Sequence, residues 1–272
     1  MWSLPRKPAH ETNILPAADI LASFPRRSAR SRRITSSNSS RRGDTWNRWR
    51  NHHPEIRPHL EKAPLNGVNL SNANLMRADL SWANLSSANL SKARLLGAKL
   101  NAADLSKAIL IGANLCGAEL HKANLSDANL NGAYMRWAHL AEANFERATL
   151  NGANLSGASL VDTKVTNATF TDCSVYGISA WNLVGEPKEQ LNLHISRGEW
   201  PHKGQTLTVD NPNVAQFVYL LRENEKVREL LKAVTSKLVL ILGRFGERRY
   251  VLDAIQDLFR QGTTYSPLIF DF

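Results

Sequence analysis

Residues 83–105 have the sequence ANLSSANLSKARLLGAKLNAADL, in which an Ala is followed two positions later by a Leu every five residues. The same register extends without insertion from about residue 58 to residue 182. Of the 25 positions spaced five apart from residue 60 to residue 180, 19 are Leu, and 20 of the 25 positions two residues earlier are Ala. A period this strict is an internal repeat, which has to be recognised before helices or strands are assigned.

A five-residue period does not fit one long helix, whose faces recur after roughly 3.6 residues, or one long strand, whose faces recur at every second residue. It fits a chain that turns a corner every five residues and returns above its starting point after four sides. In that geometry Leu fills the inward position on each side, and the smaller Ala fits beside it where the interior is narrow. The pattern therefore predicts a mainly β solenoid with four pentapeptides in each coil.

The triplets Ala83-Asn84-Leu85, Ala103-Asp104-Leu105 and Ala153-Asn154-Leu155 resemble the consensus Ala-(Asp/Asn)-Leu-x-x of the pentapeptide-repeat family. The resemblance implies a right-handed quadrilateral β-helix, which we expect over residues 58–182. With about 4.8 Å between stacked strands, the six coils and a quarter would form a rod on the order of 30 Å long.

The basic character of the chain is concentrated at its N-terminus. Residues 1–57 contain 12 Lys and Arg against 4 Asp and Glu, a net charge of +8 out of the +10 of the whole chain. Residues 1–42 are rich in Arg, Ser and Pro and poor in apolar residues, so we predict a disordered basic tail. Such a tail would bind nucleic acid weakly and without sequence preference. A transit peptide is an alternative interpretation, whereas a twin-arginine export signal would need an apolar segment that is absent.

Residues 43–57 differ from this tail because they contain two Trp and a helix-capping residue. Asp44 can cap a short helix that places Trp46 and Trp49 on one face. Since the ends of a solenoid have to be covered, we predict that residues 43–57 form a helical cap on the first coil. The segment also resembles the Trp-Asn-x-Trp-Arg lead-in that precedes the first repeat in many pentapeptide-repeat proteins.

The five-residue pattern fades after Ala168, and residues 183–272 carry the signals of alternating strands and helices. Strands are predicted at residues 190–196, 205–210, 238–242 and 268–272. Helices are predicted to begin at Asn211, near Val227 and after Gly243. A strand, a helix and a second strand in this order predict a small α/β unit with parallel strands. A two-stranded parallel unit leaves an open edge, so we expect the unit to be incomplete.

Parts of this C-terminal segment also resemble the start of the TIR-like domain found behind pentapeptide repeats in some bacterial proteins. The resemblance is carried by Thr208–Asn211, Leu240–Phe245 and Phe270–Phe272. It implies a truncated TIR-like domain, and an NAD-cleaving enzyme only if the chain continues beyond residue 272. The Glu on which NAD cleavage relies in that family has no counterpart among these residues.

The sequence contains no constellation that indicates a catalytic, cofactor or metal site. Cys116 and Cys173 are far apart in the chain, and the register places the first outside the solenoid and the second inside. A candidate phosphate loop follows the strand predicted at residues 238–242. It comprises Gly243, Arg244, Gly246 and Arg248. Because it lacks the Gly-x-Gly-x-x-Gly and Gly-Lys-Ser/Thr motifs of nucleotide-binding loops, a plain strand-to-helix turn is the favoured interpretation.

Residues one coil apart are expected to stack on the same side of the solenoid, so its outer surface can be predicted in columns. One column alternates in charge, and we expect it to be self-compensated. It comprises Asp79, Lys99, Glu119 and His139. A second column is apolar, with two isoleucines on the neighbouring side, and this group is our candidate docking stripe. The stripe comprises Met76, Leu96, Cys116, Ile109 and Ile111.

These features predict a non-catalytic scaffold for protein–protein interaction, with an unidentified protein partner and no cofactor. No apolar segment reaches the ~18 residues of a transmembrane helix, so we expect no membrane association and a cytoplasmic location, with a dimer as one option. The first alternative is a DNA mimic that binds topoisomerases, as in the pentapeptide-repeat proteins that protect these enzymes from quinolones. Mimicry requires a strongly negative surface, whereas residues 58–182 carry 10 Lys and Arg against 9 Asp and Glu. The second alternative is the NAD-cleaving enzyme.

Overall fold

The computed structural model describes residues 46–48, 50–195, 208–226, 238–243 and 266–271. From His59 onwards, every fifth residue forms a parallel backbone pair with its equivalent in the next coil, through to the pair of Ser174 with His194. Four such pairs in each coil make a four-sided β-helix, in which single paired residues alternate with two-residue turns. The predicted coil geometry is thereby confirmed, and its right-handedness stays a prediction.

The interior of the β-helix is filled by one Leu-type and one Ala-type side chain from each pentapeptide. Leu80, Leu100, Leu120 and Leu140 follow one another in successive coils and are fully buried, as the predicted inward column requires. The Ala two positions before each of them is equally inaccessible. Where Thr163 replaces such an Ala, its hydroxyl donates to Leu140 O at 2.9 Å within the core. Each inward layer is therefore held by apolar contacts with the coils above and below.

Hydrogen bonds at the corners explain the preference for Asn or Asp before each Leu. Between coils, the amide of Leu80 donates to Lys99 O at 2.7 Å, and the same bond recurs along the solenoid. At the corner, Asp79 Oδ1 accepts from Ser81 N at 3.1 Å. The second corner residue has a left-handed backbone, as at Lys92 with a φ of 56°. The Asn or Asp side chain thus provides an acceptor for a corner amide and stabilises the turn.

Helical residues 46–48 and 50–52 cover the N-terminal end of the β-helix. Trp46 is buried, and its Nε1 donates to Asn74 O at 3.1 Å. The amide of the same Asn74 donates to Asn47 Oδ1 at 2.8 Å. Higher in the solenoid, the equivalent backbone groups bond to the coil below, as Arg94 N does to Ala73 O. Side chains of the helix therefore replace the strand that the first coil lacks.

Arg50 fixes the connection between this helix and the first coil. Its side chain is buried and donates to the carbonyls of His53 and Ile56, and its Nη2 donates to Met76 O at 3.4 Å. Burial lowers the pKa of the guanidinium, an effect that the nearby carboxylate of Glu55 opposes. These contacts are the ones expected of the predicted helical cap.

The β-helix continues beyond residue 182, which is the end that the sequence pattern predicts. Strand β1 (Thr169–Thr171) pairs in parallel with β2 (Glu189–Leu191), which lies one coil further along the chain. Leu193 and Ile195 occupy the two inward positions of the last described pentapeptide and are buried. Their alternation favoured an isolated strand in the sequence, because the Ala–Leu signature is lost here while the five-residue register is kept.

The last coil has a covered edge. Strand β3 (Leu193–His194) pairs with β4 (Thr208–Val209) in antiparallel orientation. Asp210, which follows β4, accepts with Oδ1 from Asn192 N at 2.9 Å. The antiparallel strand therefore ends the stack of parallel pairs and leaves less of the final strand edge open.

Helix α1 (Pro212–Glu223) completes the C-terminal cap. It begins where predicted, with Asn211 as N-cap residue and Pro212 in the first turn. Gln216 Oε1 accepts from the backbone amide of Ala180 in the last coil. The ring of Tyr219 on α1 also packs edge-on against the ring of Tyr176 in the β-helix, with centroids 5.1 Å apart. These contacts join α1 to the β-helix, whereas the sequence had placed it within the α/β unit.

Two further strands lie beyond this cap. β5 (Leu238–Gly243) and β6 (Ser266–Asp271) form a parallel two-stranded sheet, as the order of predicted strands required. The helix predicted after Gly243 lies outside the described residues. The tail predicted at residues 1–42 also lies outside them.

Candidate docking surface

The apolar column of the predicted docking stripe forms one corner of the β-helix. Met76, Leu96 and Cys116 follow one another along this corner in successive coils. Arg77 N donates to Leu96 O at 3.0 Å, and Gly97 N makes the same bond to Cys116 O. Leu96 exposes 38% of its surface, whereas Met76 and Cys116 are half-buried. Leu96 is therefore the most exposed of the three residues in this column.

The two isoleucines of the stripe lie in different places. Ile111 is 42% exposed. The side of the coil that carries Asn114 has the Leu96 corner at one edge and Ile111 at the opposite edge. Ile109 lies on the next side, where its backbone pairs with Asn89 and Asn129. The structure thus brings four of the five predicted residues to the edges of a single side and leaves Ile109 apart.

The side bounded by these two corners carries four cations and no carboxylate over five coils, and we call it the arginine face. It consists of residues 71–77, 91–97, 111–117, 131–137 and 151–157. Its exposed cations are Arg77, Lys92, Arg94 and Arg136. Nη2 of Arg94 lies 3.0 Å from Met76 Sδ. Within the described part of the chain, none of the four cations forms a salt bridge.

Two aromatic side chains extend the apolar part of the arginine face. Trp137 is 59% exposed and Tyr134 is 41% exposed. The guanidinium carbon of Arg136 lies 4.3 Å from the centroid of the Trp137 ring, which is a cation–π contact. The indole also lies against Gly157, where a Cβ atom would overlap it. The glycine therefore lets the ring rest against the backbone of the next coil.

In single columns these cations and aromatic residues are separated from one another. Arg77 and Lys92 occupy the same position of the pentapeptide, and Arg94 and Arg136 occupy two others, but all four fall into different columns of the coil. They share a surface only when a side is considered together with its two corners. A count of charge by side, rather than by column, would have found them in the sequence.

The adjacent side shows the contrasting case of charges that compensate one another. Asp79, Lys99, Glu119 and His139 stack there in successive coils, as predicted. Partial burial tends to raise the pKa of Asp79, but hydrogen bonds from Ser81 and the charge of Lys99 lower it overall. The charges on this side therefore compensate one another, and the excess of cations is a property of the arginine face.

The cysteines show no sign of catalytic activation. Burial raises the pKa of Cys116, and hydrogen bonding and the charge of Arg136 oppose the shift only in part. Burial raises the pKa of Cys173 to about 12, and its Sγ donates to Leu150 O at 3.0 Å. Both thiols therefore stay protonated at neutral pH and are poor nucleophiles.

Other predicted or conceivable sites are sparse in the described residues. No group of three or more His, Cys, Asp and Glu side chains there could hold a metal ion. None of the helices in this part of the chain is long and apolar enough to cross a membrane. Of the candidate phosphate loop, Gly243 ends β5 and pairs with Asp271. Arg244, Gly246 and Arg248 lie outside the described residues, so the loop stays a prediction.

Comparison with known proteins agrees with the repeat seen in the structure. The family model for pentapeptide repeats matches in eight copies, over residues 59–91, 98–136 and 133–172. A pentapeptide repeat protein from the Arabidopsis thaliana thylakoid lumen is 33% identical over 36% of this chain and 68% of its own, with a TM-score of 0.35. The chain belongs to the pentapeptide-repeat family.

Other solved pentapeptide-repeat proteins are similar over about half of the chain. HetL, involved in heterocyst differentiation regulation in the cyanobacterium Nostoc, is 28% identical over 51% of this chain and 73% of its own, with a TM-score of 0.34. QnrB1, a plasmid-mediated fluoroquinolone resistance protein, is 24% identical over 50% of this chain and 78% of its own, with a TM-score of 0.31. No curated protein matched the chain in sequence.

Proposed function

We propose that this pentapeptide-repeat protein is a non-catalytic scaffold that binds a protein partner on its arginine face. The observation that carries the proposal is the clustering of exposed Leu96, Ile111, Tyr134 and Trp137 on one side of the solenoid. Large exposed apolar side chains that are grouped in this way are typical of protein-binding surfaces. Aromatic residues and Arg, which this face combines, are also enriched at protein–protein interfaces.

The rigidity of the β-helix supports the same function. Every coil is bonded to its neighbours through the backbone, and both ends are covered by caps. A surface held in this way loses little conformational freedom when a partner binds, so more of the contact energy contributes to affinity. The titratable groups described above are exposed, compensated or kept protonated, which favours a binding role over a chemical one.

The alternative functions receive less support. A DNA mimic would present a dense negative surface, whereas the arginine face has four cations and no carboxylate. For the C-terminal residues, the parallel pair of β5 and β6 supports an α/β unit. Its TIR-like character, and with it the cleavage of NAD, rests on the sequence resemblance alone.

The proposal is tested by affinity capture of the tagged full chain from cells of its source organism after cross-linking. Leu96→Asp places a charge in the arginine face and is expected to remove the specifically captured proteins. Val184→Asp is the matched control, because Val184 is 43% exposed and lies on the opposite side of the solenoid. Identical captured proteins from the original chain and from Leu96→Asp would contradict the proposal.

A further inference from the structure

We propose that the partner segment bound by the arginine face is acidic and amphipathic, and that it docks as a helix along the solenoid axis. The inference rests on the proposed function and specifies the chemistry of the partner. The face is positively charged, because Arg77, Lys92, Arg94 and Arg136 are exposed and five successive coils contribute no carboxylate to the same surface. A partner with negative charge is attracted and oriented by such a surface, whereas other partners are not.

The spacing of the cations suits a helix lying parallel to the solenoid axis. Arg77 and Arg136 are three coils apart, which corresponds to about 14 Å at ~4.8 Å for each coil. Two to three turns of an α-helix span the same length, since one turn rises about 5.4 Å. Side chains at i, i+4 and i+7 of a helix therefore recur at nearly the interval at which this corner presents Leu96 and Cys116.

Many corners beside the arginine face lack side chains, which allows a partner to approach the backbone closely. Eight corner positions with left-handed backbone in the repeated coils are Gly, and six of them flank the arginine face. These six are Gly97, Gly112, Gly117, Gly132, Gly152 and Gly157. Internal packing does not require Gly at every one of them, because a Cβ at Gly117 or Gly132 would meet no atom within 4 Å. Other corners place Lys, Asp or Trp in the same conformation, as at Lys122 and Trp82. At Gly117, Gly132 and Gly152 the absence of a side chain leaves the backbone accessible to a partner, whereas the ring of Trp137 covers Gly157.

Two other occupants fit the face less well. A nucleic acid would use the cations and stack on Trp137, but it would leave Leu96 and Ile111 without apolar partners. A second copy of this chain would bring the same four cations against one another, and like charges across an interface are unfavourable. An acidic segment with an apolar stripe satisfies both the cations and the exposed apolar side chains.

The test uses a labelled synthetic peptide of about 18 residues, with Leu at heptad positions a and d and Glu elsewhere. Its binding to the full chain is followed by fluorescence anisotropy. We expect saturable binding that weakens with added NaCl, and a loss of affinity of about tenfold or more in Arg94→Glu and in Leu96→Asp. The matched control Lys164→Glu reverses an exposed charge on another side and is expected to change the affinity by less than about twofold. The basic residues 1–42 are present in every variant, so their own contribution to peptide binding is the same in each.

Two comparison probes decide between the occupants. A peptide with Lys in place of Glu should not bind, and tighter binding of this peptide would overturn the inference. Tighter binding of an oligothymidylate, with the same dependence on Arg94, would also overturn it. So would equal losses in Arg94→Glu and Lys164→Glu. If cellular capture depends on Leu96 but neither peptide binding nor capture depends on Arg94, the scaffold function stands and the acidic partner is rejected.

Discussion

We expect Leu95→Ala to destabilise the β-helix far more than Leu96→Ala, although the two residues are adjacent and identical in type. Leu95 is fully buried between the inward side chains of Leu75 and Leu115, whereas Leu96 is 38% exposed. Truncation of a buried Leu costs ~2–5 kcal/mol. The upper half of that range applies here, because the bond of 2.7 Å from Leu95 N to Asn114 O holds the coils at a fixed spacing and prevents collapse of the cavity. Leu96→Ala should change the free energy of unfolding by about 0.5 kcal/mol or less.

Urea unfolding followed by far-ultraviolet circular dichroism measures the difference. With an m-value on the order of 2–3 kcal/mol/M, Leu95→Ala should lower the midpoint by roughly 1–2 M. Leu96→Ala should leave the midpoint nearly unchanged, so the same variant also separates docking from stability. Equal midpoints for the two variants, or a larger decrease for Leu96→Ala, would refute the assignment of inward and outward positions.

Three further predictions concern the caps and the titratable groups. Trp46→Ala should accelerate hydrogen exchange of the amides in the first coil and leave those of the last coil unchanged, because each coil contacts only its neighbours; uniform acceleration would contradict this. Native protein should release one equivalent of thionitrobenzoate slowly from Cys116, whose pKa burial raises, and buried Cys173 should react only after unfolding; prompt reaction of both would show that the last coils are open. Burial lowers the pKa of His194 from its ordinary value of 6.5, with Asp172 opposing. The unfolded chain therefore binds the proton more readily, and this contribution to stability is present above that value and lost as the pH falls below it. The drop in urea midpoint between pH 7.5 and pH 5.5 should be smaller in His194→Gln, and an unchanged drop would exclude this residue as a cause.

The coil geometry could be predicted from the sequence because nearly every pentapeptide has the same two types of inward side chain. A medium apolar side chain and a small one recur through 25 pentapeptides with few exceptions, so the register is determined many times over. The C-terminal boundary could not be predicted in the same way. In the last described pentapeptide Leu193 and Ile195 fill the inward positions, and an alternating apolar pair fits an isolated strand equally well.

The contacts of the N-terminal cap and the composition of the docking surface could be predicted only in part from the sequence. A helix near Trp46 was predicted from Asp44 and the Trp spacing, but the pairing of Asn47 with Asn74 depends on how the helix enters the first coil. On the surface, the column of Leu96 and Cys116 followed directly from the length of one coil. The residues of the arginine face could not be grouped without the three-dimensional structure, which shows the two corners that flank each side.

The regular coil has a genetic consequence that concerns insertions and deletions. Loss of four consecutive pentapeptides shortens the solenoid by one coil and leaves every remaining side chain on its original side. Loss of a single pentapeptide keeps the Leu and Ala positions in register, so the core still forms, but it rotates everything after the deletion by a quarter turn. If the deleted pentapeptide lies between Arg94 and Arg136, Arg136 and Trp137 would then lie on a different side from Arg94. An in-frame deletion of one pentapeptide and a deletion of four pentapeptides therefore have similar effects on folding but opposite effects on partner recognition. Lineages that keep the same partner should differ in length by whole coils.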